Sequence, residues 1–290
     1  FKRFHQTYYH PSNAYIYFYG DDNPEERLRR MDNWLKDFDA LQVDSGVSLQ
    51  PRFTQPKKLE FPYEVSQKEG ESALKKAMLT VNWLQAENGD PKLILALEIL
   101  SHILIGTPAS PLRKALIDSG LGEDLAGEGF DNTTRQAYFS TGLKGIAVET
   151  ADKVEALIFN TLKKLVEESI DPEMIAAAVN TIEFRLRENN YGSFPQGLVL
   201  MIRLMPSWLH QENPIHPLAF EAPLSAIKAE LEKNNRYFES LIEEYFLKNP
   251  HRVTVLLKPD PELGRQKEQA ETERLAKVRA GLSEEELKGI

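Results

Sequence analysis

The chain has 290 residues, 41% of them hydrophobic and 27% charged, with 44 acidic against 35 basic side chains and a formal charge of −9. Such a composition describes one large or two ordinary globular domains and excludes a chain that stays disordered. The absence of cysteine excludes disulfides, thiolate-held zinc, iron–sulfur clusters and thiol nucleophiles. An acidic balance disfavours nucleic acid, whose phosphates need a basic patch, and is compatible with a cationic partner such as a basic peptide or with plain solubility. The longest apolar run, Leu93 to Ile105, is broken by Glu98, Ser101 and His102. No membrane span is therefore indicated, and the N-terminal residues lack a signal-peptide core.

In chain order, the aromatic and apolar block Ala14 to Tyr19 predicts a strand buried on both faces, with Tyr15, Tyr17, Phe18 and Tyr19 as core residues. Asn23-Pro24-Glu25-Glu26 is a helix start, with a capping Asn, Pro at the first position and carboxylates in the first turn. Leu28, Met31, Trp34, Leu35 and Phe38 recur at helical spacing and predict one face packed on that strand. From Asp39 to Pro62 the periodicity is lost among Gly46, Pro51, Pro56 and Pro62, which predicts an extended connection.

Lys76 to Leu84 predicts a central strand, because its residues are too apolar for a solvated edge. Asp90-Pro91 caps a helix ended by Gly106, and Ser110-Pro111 opens a shorter one ended near Gly120. Glu123 to Phe130 and Gln136 to Ile146 read as a hairpin of two strands. Long helices follow over Ala151 to Glu168 and from Asp171-Pro172 to about Asn189. A further helix spans Gly192 to Leu209, and a pair lies between Leu224 and Phe246. A last strand, 251 to 257, carries apolar residues at Val253, Val255 and Leu257. From Glu262 onward Lys, Arg, Glu, Gln and Ala dominate, which predicts an exposed helix or linker. Helices on one face of a largely antiparallel, mixed sheet define the predicted class, an α+β split sandwich of ferredoxin-like type.

Two segments carry a family resemblance. Tyr8-Tyr9-His10-Pro11-Ser12-Asn13-Ala14 with Phe18-Tyr19-Gly20-Asp21, and Ile105-Gly106-Thr107-Pro108-Ala109-Ser110-Pro111-Leu112 through Leu116 with Ser119-Gly120-Leu121-Gly122, resemble the presequence-protease branch of the pitrilysin- or insulinase-type zinc metallopeptidases. The resemblance covers essentially the whole chain. It implies a domain repeated four times in two halves that close over a short unfolded peptide. It assigns 1–45 to the end of a first, catalytic domain, 46–72 to an extended connection, 73–260 to a complete second domain and 261–290 to the start of a charged helical linker. The zinc of the parent enzyme is implied to lie outside this chain, because in that family the inverted motif His-x-x-Glu-His and a further Glu ligand precede the Tyr8 segment.

The residues agree on the chemistry that is missing. A helical zinc site sets two His four residues apart, and the six His, at 5, 10, 102, 210, 216 and 251, contain no such pair. His210, Glu212 and His216 have ligand-like composition, but Asn213-Pro214 and Pro217 read as a loop without fixed geometry. No Gly-x-Ser-x-Gly elbow is present, and Gly120, Gly122, Gly127 and Gly129 fit no phosphate-binding fingerprint. No catalytic or metal-binding residue is assigned. The candidate substrate-binding residues are Leu125, Ala126, Gly127, Glu128 and Gly129, where a small-residue strand can pair with an extended peptide. The other reading of these glycines is an ordinary bulged strand.

The expected function is the non-catalytic part of a zinc metalloendopeptidase, building a chamber wall and a peptide-docking edge and inactive alone. Its partners would be peptide substrates, the catalytic domain and the C-terminal half of the same polypeptide. A zinc-less scaffold of the same fold and a chaperone-like peptide binder are the alternatives. A bacterial parent would be cytoplasmic, and an organellar one mitochondrial or plastid.

Overall fold

A computed structural model describes residues 1–65, 76–188, 192–210 and 212–289. The expected boundary between residues 72 and 73 and the expected helix end at Asn189 lie outside the described residues. One mixed sheet of five strands organises the fold, in the order β1-β5-β2-β4-β3, with β1 Lys57–Glu64, β2 Ala77–Glu87, β3 Asp124–Asp131, β4 Gln136–Ile146 and β5 Arg252–Asp260. Only β1 and β5 run parallel; the other neighbours are antiparallel.

The middle strand β2 alternates strictly. Ala77, Leu79, Val81 and Trp83 are buried on the helix-covered face, while Met78, Thr80, Asn82 and Leu84 point to the other side. Register carries the alternation to β4, where Phe139 lies opposite Trp83 and Leu143 opposite Leu79. Trp83, fully buried, meets Phe139, Phe159 and Phe246 with ring centroids 6.0, 5.8 and 5.3 Å away, and its indole N–H donates to the Phe246 carbonyl at 3.0 Å. Gly142 is required where β4 crosses β2, because a Cβ there would stand 1.8 Å from the Leu79 carbonyl oxygen.

Two helices, α1 (Lys2–Tyr8) and α2 (Pro24–Leu35), precede the sheet, and later helices cover one of its faces. α3 (Pro91–Ile105) starts where the Asp90 carboxylate accepts from the Lys92 and Leu93 amides, and it buries Leu97, Ile99, Leu100, Ile103 and Leu104. Ser110 closes the corner into α4 (Pro111–Asp118), accepting from the Thr107 amide and donating to the His102 carbonyl. α5 (Ala151–Glu168) buries Val154, Ile158 and Leu162, and α6 (Pro172–Glu188) buries Ile175, Val179 and Ile182. Then come α7 (Gln196–Trp208), α8 (Glu221–Lys233) and α9 (Tyr237–Ile242), the last running into a π-helical turn, Glu243–Leu247, that brings Phe246 to Trp83. α10 (Leu263–Gly281) has no buried residue, as expected of an exposed charged helix.

Four expectations need correction. Residues 14–19 are extended but join no strand among the described residues. Tyr15 is 40% and Phe18 45% exposed, so the aromatic stripe is not core. Without a ladder partner the segment lies across α7 instead, with Tyr15 edge-on to Trp208 at 5.0 Å and the Tyr19 hydroxyl on Gln196. The helix after it, Pro24–Leu35, forms with the expected Asn23 cap, yet Leu28 and Trp34 are each 68% exposed and its apolar face is not packed on a strand. Residues 57–64, read as connection, pair with β5, and Pro62 is tolerated because β1 is the sheet edge. On β5 the buried positions are Thr254 and Leu256, while Val253, Val255 and Leu257 remain half-exposed on the open face. Thr254 is satisfied there by donating to Glu155 of α5, which also binds Lys58.

Trp83→Ala is expected to cost about 3–5 kcal/mol. Gly142→Ala, which overpacks the β2–β4 crossing, is expected to cost about 1–3 kcal/mol or more. Chemical denaturation of each variant checks both values, and Gly142→Ala at wild-type stability would show that the crossing relaxes freely.

Candidate functional site

The sheet leaves two surfaces open. Its uncovered face presents Leu59 and Phe61 of β1 beside Val255 and Leu257 of β5, then a polar row in which Ser140 donates to Asn82 and Asn82 to Thr80. Phe61 is 49% exposed on it. The second surface is the edge of β3, which among the described residues pairs with β4 alone.

The five residues singled out from the sequence lie together on that edge. The β3–β4 register slips between Ala126 and Gly129, so Gly127 and Glu128 bulge out of the ladder and are both exposed. Gly127 and Gly129 adopt φ of +90° and +76°, a region costly for side-chain-bearing residues. A Cβ on Gly127 would meet the Ser140 carbonyl at 2.6 Å, and one on Gly129 would meet Ile105 and Ser101 of α3 at 2.9 Å. Packing therefore accounts for both glycines. The edge is also shorter than its strand. Ser101 accepts the Phe130 amide and the Asp124 carboxylate accepts the Leu125 amide, so Gly127 and Glu128 are its most open backbone. Leu125, Gly127 and Glu128 line a cavity of about 510 Å³ between β3, α3 and α6, together with His102, Arg113 and Arg185.

Charges around the edge are unequal in state. The Leu125 amide and then Lys144 hold the Asp124 carboxyl below the usual carboxylate range. Glu98, at the floor of the cavity, is pushed up by burial against the opposing pull of Arg203 and Arg185. Burial, with Arg185 next, pushes His102 down. Sequence reasoning saw Glu98, Ser101 and His102 only as breaks in an apolar run. Their spacing of three and four residues puts them on one helix face, and this was the available signal.

Glu212 and His216 line one cleft and Glu212 acts on His210, but the three do not form a group that could hold a metal. Glu212 faces Gly89, and His216 opens a short 3-10 turn, His216–Leu218. Among the described residues no group of three or more His, Cys, Asp or Glu could hold a metal ion, so these side chains do not fit the zinc that the resemblance implies for the parent. No helix among them is long and apolar enough to cross a membrane.

Comparison with known proteins agrees with this architecture. Residues 1–182 match the family described as Peptidase M16 inactive domain. The chain is 46% identical over 292 residues to presequence protease 1, chloroplastic/mitochondrial, of Arabidopsis thaliana, covering 99% of this chain and 27% of that protein. It is 36% identical over 291 residues to protein HypA of Clostridium perfringens, covering 100% and 29% respectively. The chain thus spans less than a third of these relatives. The crystal structure of a protease from Helicobacter pylori superposes with a TM-score of 0.65 at 17% identity, over 89% of this chain and 58% of that one, which shows the shared fold. With an inactive-domain match over more than half its length and a presequence protease aligned along nearly all of it, this chain belongs to the pitrilysin- or insulinase-type, M16, peptidase family.

Proposed function

We propose that this chain is the non-catalytic second-domain region of a zinc metalloendopeptidase that degrades short unfolded peptides, and that it holds the substrate by its backbone along β3. The observation that carries this reading is the unpaired β3 edge, where exposed Gly127 and Glu128 stand out of the ladder beside a cavity of about 510 Å³. An added strand is recognised through main-chain groups, which suits substrates of varied sequence. Glu128 beside the edge and the formal charge of −9 favour basic peptides.

The open sheet face serves as chamber wall in this reading. A surface half apolar, at Leu59, Phe61, Val255 and Leu257, and half polar, at Thr80 and Asn82, suits transient contact with unfolded chains. Residues 1–45 are proposed to belong to the catalytic domain, 46–72 to the connection, 73–260 to the second domain and 261–290 to the linker. Exposed Phe4, Tyr9, Leu28, Trp34 and Phe38 are then interface residues covered by the catalytic domain and by the C-terminal half of the polypeptide. Zinc and the general base belong to that catalytic domain, and no hydrolytic step is routed through residues of this chain. The compartment follows the parent: a relative bearing the name chloroplastic/mitochondrial favours an organelle, and a Clostridium relative the bacterial cytoplasm. A zinc-less scaffold would keep the same surfaces, and so would a chaperone-like binder, which would show affinity without turnover.

Two outcomes are expected. The purified chain, supplied with zinc, leaves a fluorogenic unfolded peptide uncleaved, and turnover that a chelator abolishes would overturn the assignment. An extended basic peptide binds the chain, and N-methylation of alternate backbone amides weakens it about tenfold or more, read by fluorescence anisotropy. Equal affinity of the two peptides would remove the docking edge.

A further inference from the structure

A second cavity, of about 380 Å³, opens where α3, α6, α7 and α8 meet beyond the end of β3. Ile94, Leu95, Leu186, Val199, Ile202 and Phe220 give it an apolar lining. Glu98, Phe130 and Arg185 line both this cavity and the one beside β3, so the two adjoin across these three side chains. Arg203 is fixed at the wall by donating to the Pro217 carbonyl at 3.2 Å. Arg185 is exposed and has no hydrogen bond or ion pair among the described residues.

We propose that this second cleft seats the C-terminal residue of a peptide, with an aliphatic side chain among Ile94, Leu95, Val199 and Ile202 and the terminal carboxylate between Arg185 and Arg203. The mostly apolar lining argues for an aliphatic side chain, and Arg185 and Arg203 stand in the same lining. The charge argues for an anion. Two guanidiniums offer forked N–H donors matched to a carboxylate, and both already bear on the poorly solvated carboxyl of Glu98. A peptide ammonium or lysine would meet Arg185 and Arg203 there, although Glu98 and Glu212 also line the cleft. Burial pushes the Glu98 carboxyl up, against the pull of the same two guanidiniums. Glu212 and His216 also line the cleft, and His102 and Arg113 face the adjoining cavity.

The inference rests on the reading of the chain as a peptide-handling domain, and two peptide modifications separate them. A fluorescein-labelled hexapeptide ending in Leu is titrated against the 290-residue chain as free acid and as C-terminal amide. Hydrogen bonds to charged groups predict the acid to bind about tenfold or more tightly than the amide. Arg185→Gln and Arg203→Lys should each shrink that preference to about threefold or less, with thermal melting of Arg185→Gln unchanged because its side chain is exposed. Equal binding of acid and amide, or full preference retained in both variants, would overturn the proposal. If backbone N-methylation leaves affinity intact while the acid preference persists, the β3 edge fails and the cleft stands. If it weakens acid and amide alike with the preference kept, both stand.

Discussion

Burial of Trp83 is the constraint on which the other elements depend. Its indole N–H needs a partner in an apolar interior, and the Phe246 carbonyl supplies one from the π-helical turn. Phe139 of β4, Phe159 of α5 and Phe246 then close around one ring system. β2 is thereby fixed in the middle of the sheet and α5 and the π-turn on a single side of it. Every large aromatic of this cluster lies on that side, and among the described residues the opposite face holds only scattered apolar side chains such as Phe61 and Leu59.

One-sidedness has consequences for function. An α+β sheet with helices on one face must either expose the other or lend it to a neighbour. Here that face grades from aliphatic at β1 and β5 to hydroxyl and amide at β2 and β4, with Ser140, Asn82 and Thr80 satisfying one another. A fully apolar face would demand a permanent partner, and a fully charged one would repel apolar segments. The mixed surface suits repeated, reversible contact, as the proposed chamber wall would require.

Much of the fold was legible because local signals agreed with tertiary demand. Asp90-Pro91 and Asn23-Pro24 name helix starts by capping chemistry alone, and the two caps form as read. Ala151 to Glu168 shows one apolar face at helical spacing, and that face is buried. Failures came where a pattern depends on a neighbour. Ala14 to Tyr19 has strand composition, but a strand exists only when paired, and no described residue pairs with it. Lys57–Glu64 does alternate, with Leu59, Phe61 and Tyr63 on one face, but Pro62 and its place among other prolines disguised it as connection. On β5 the apolar residues Val253, Val255 and Leu257 face outward, while Thr254 is buried through a hydrogen bond to Glu155 that sequence cannot display.

The site separates composition from geometry more sharply. Gly127 and Gly129 drew attention as small residues on a strand, yet their backbone angles and the nearness of Ser140, Ser101 and Ile105 require glycine whether or not any peptide binds. Glycine content is therefore no argument for recognition. What speaks for recognition is the consequence of the glycines: the bulge they permit pushes Gly127 and Glu128 out of the β4 ladder, on an edge where Ser101 of α3 takes the Phe130 amide. The same helix sends Glu98 and His102 into the cavity alongside. A strained turn made for packing thus exposes backbone groups next to a lined hollow, and an extended chain laid there would find both hydrogen-bonding groups and room for its side chains.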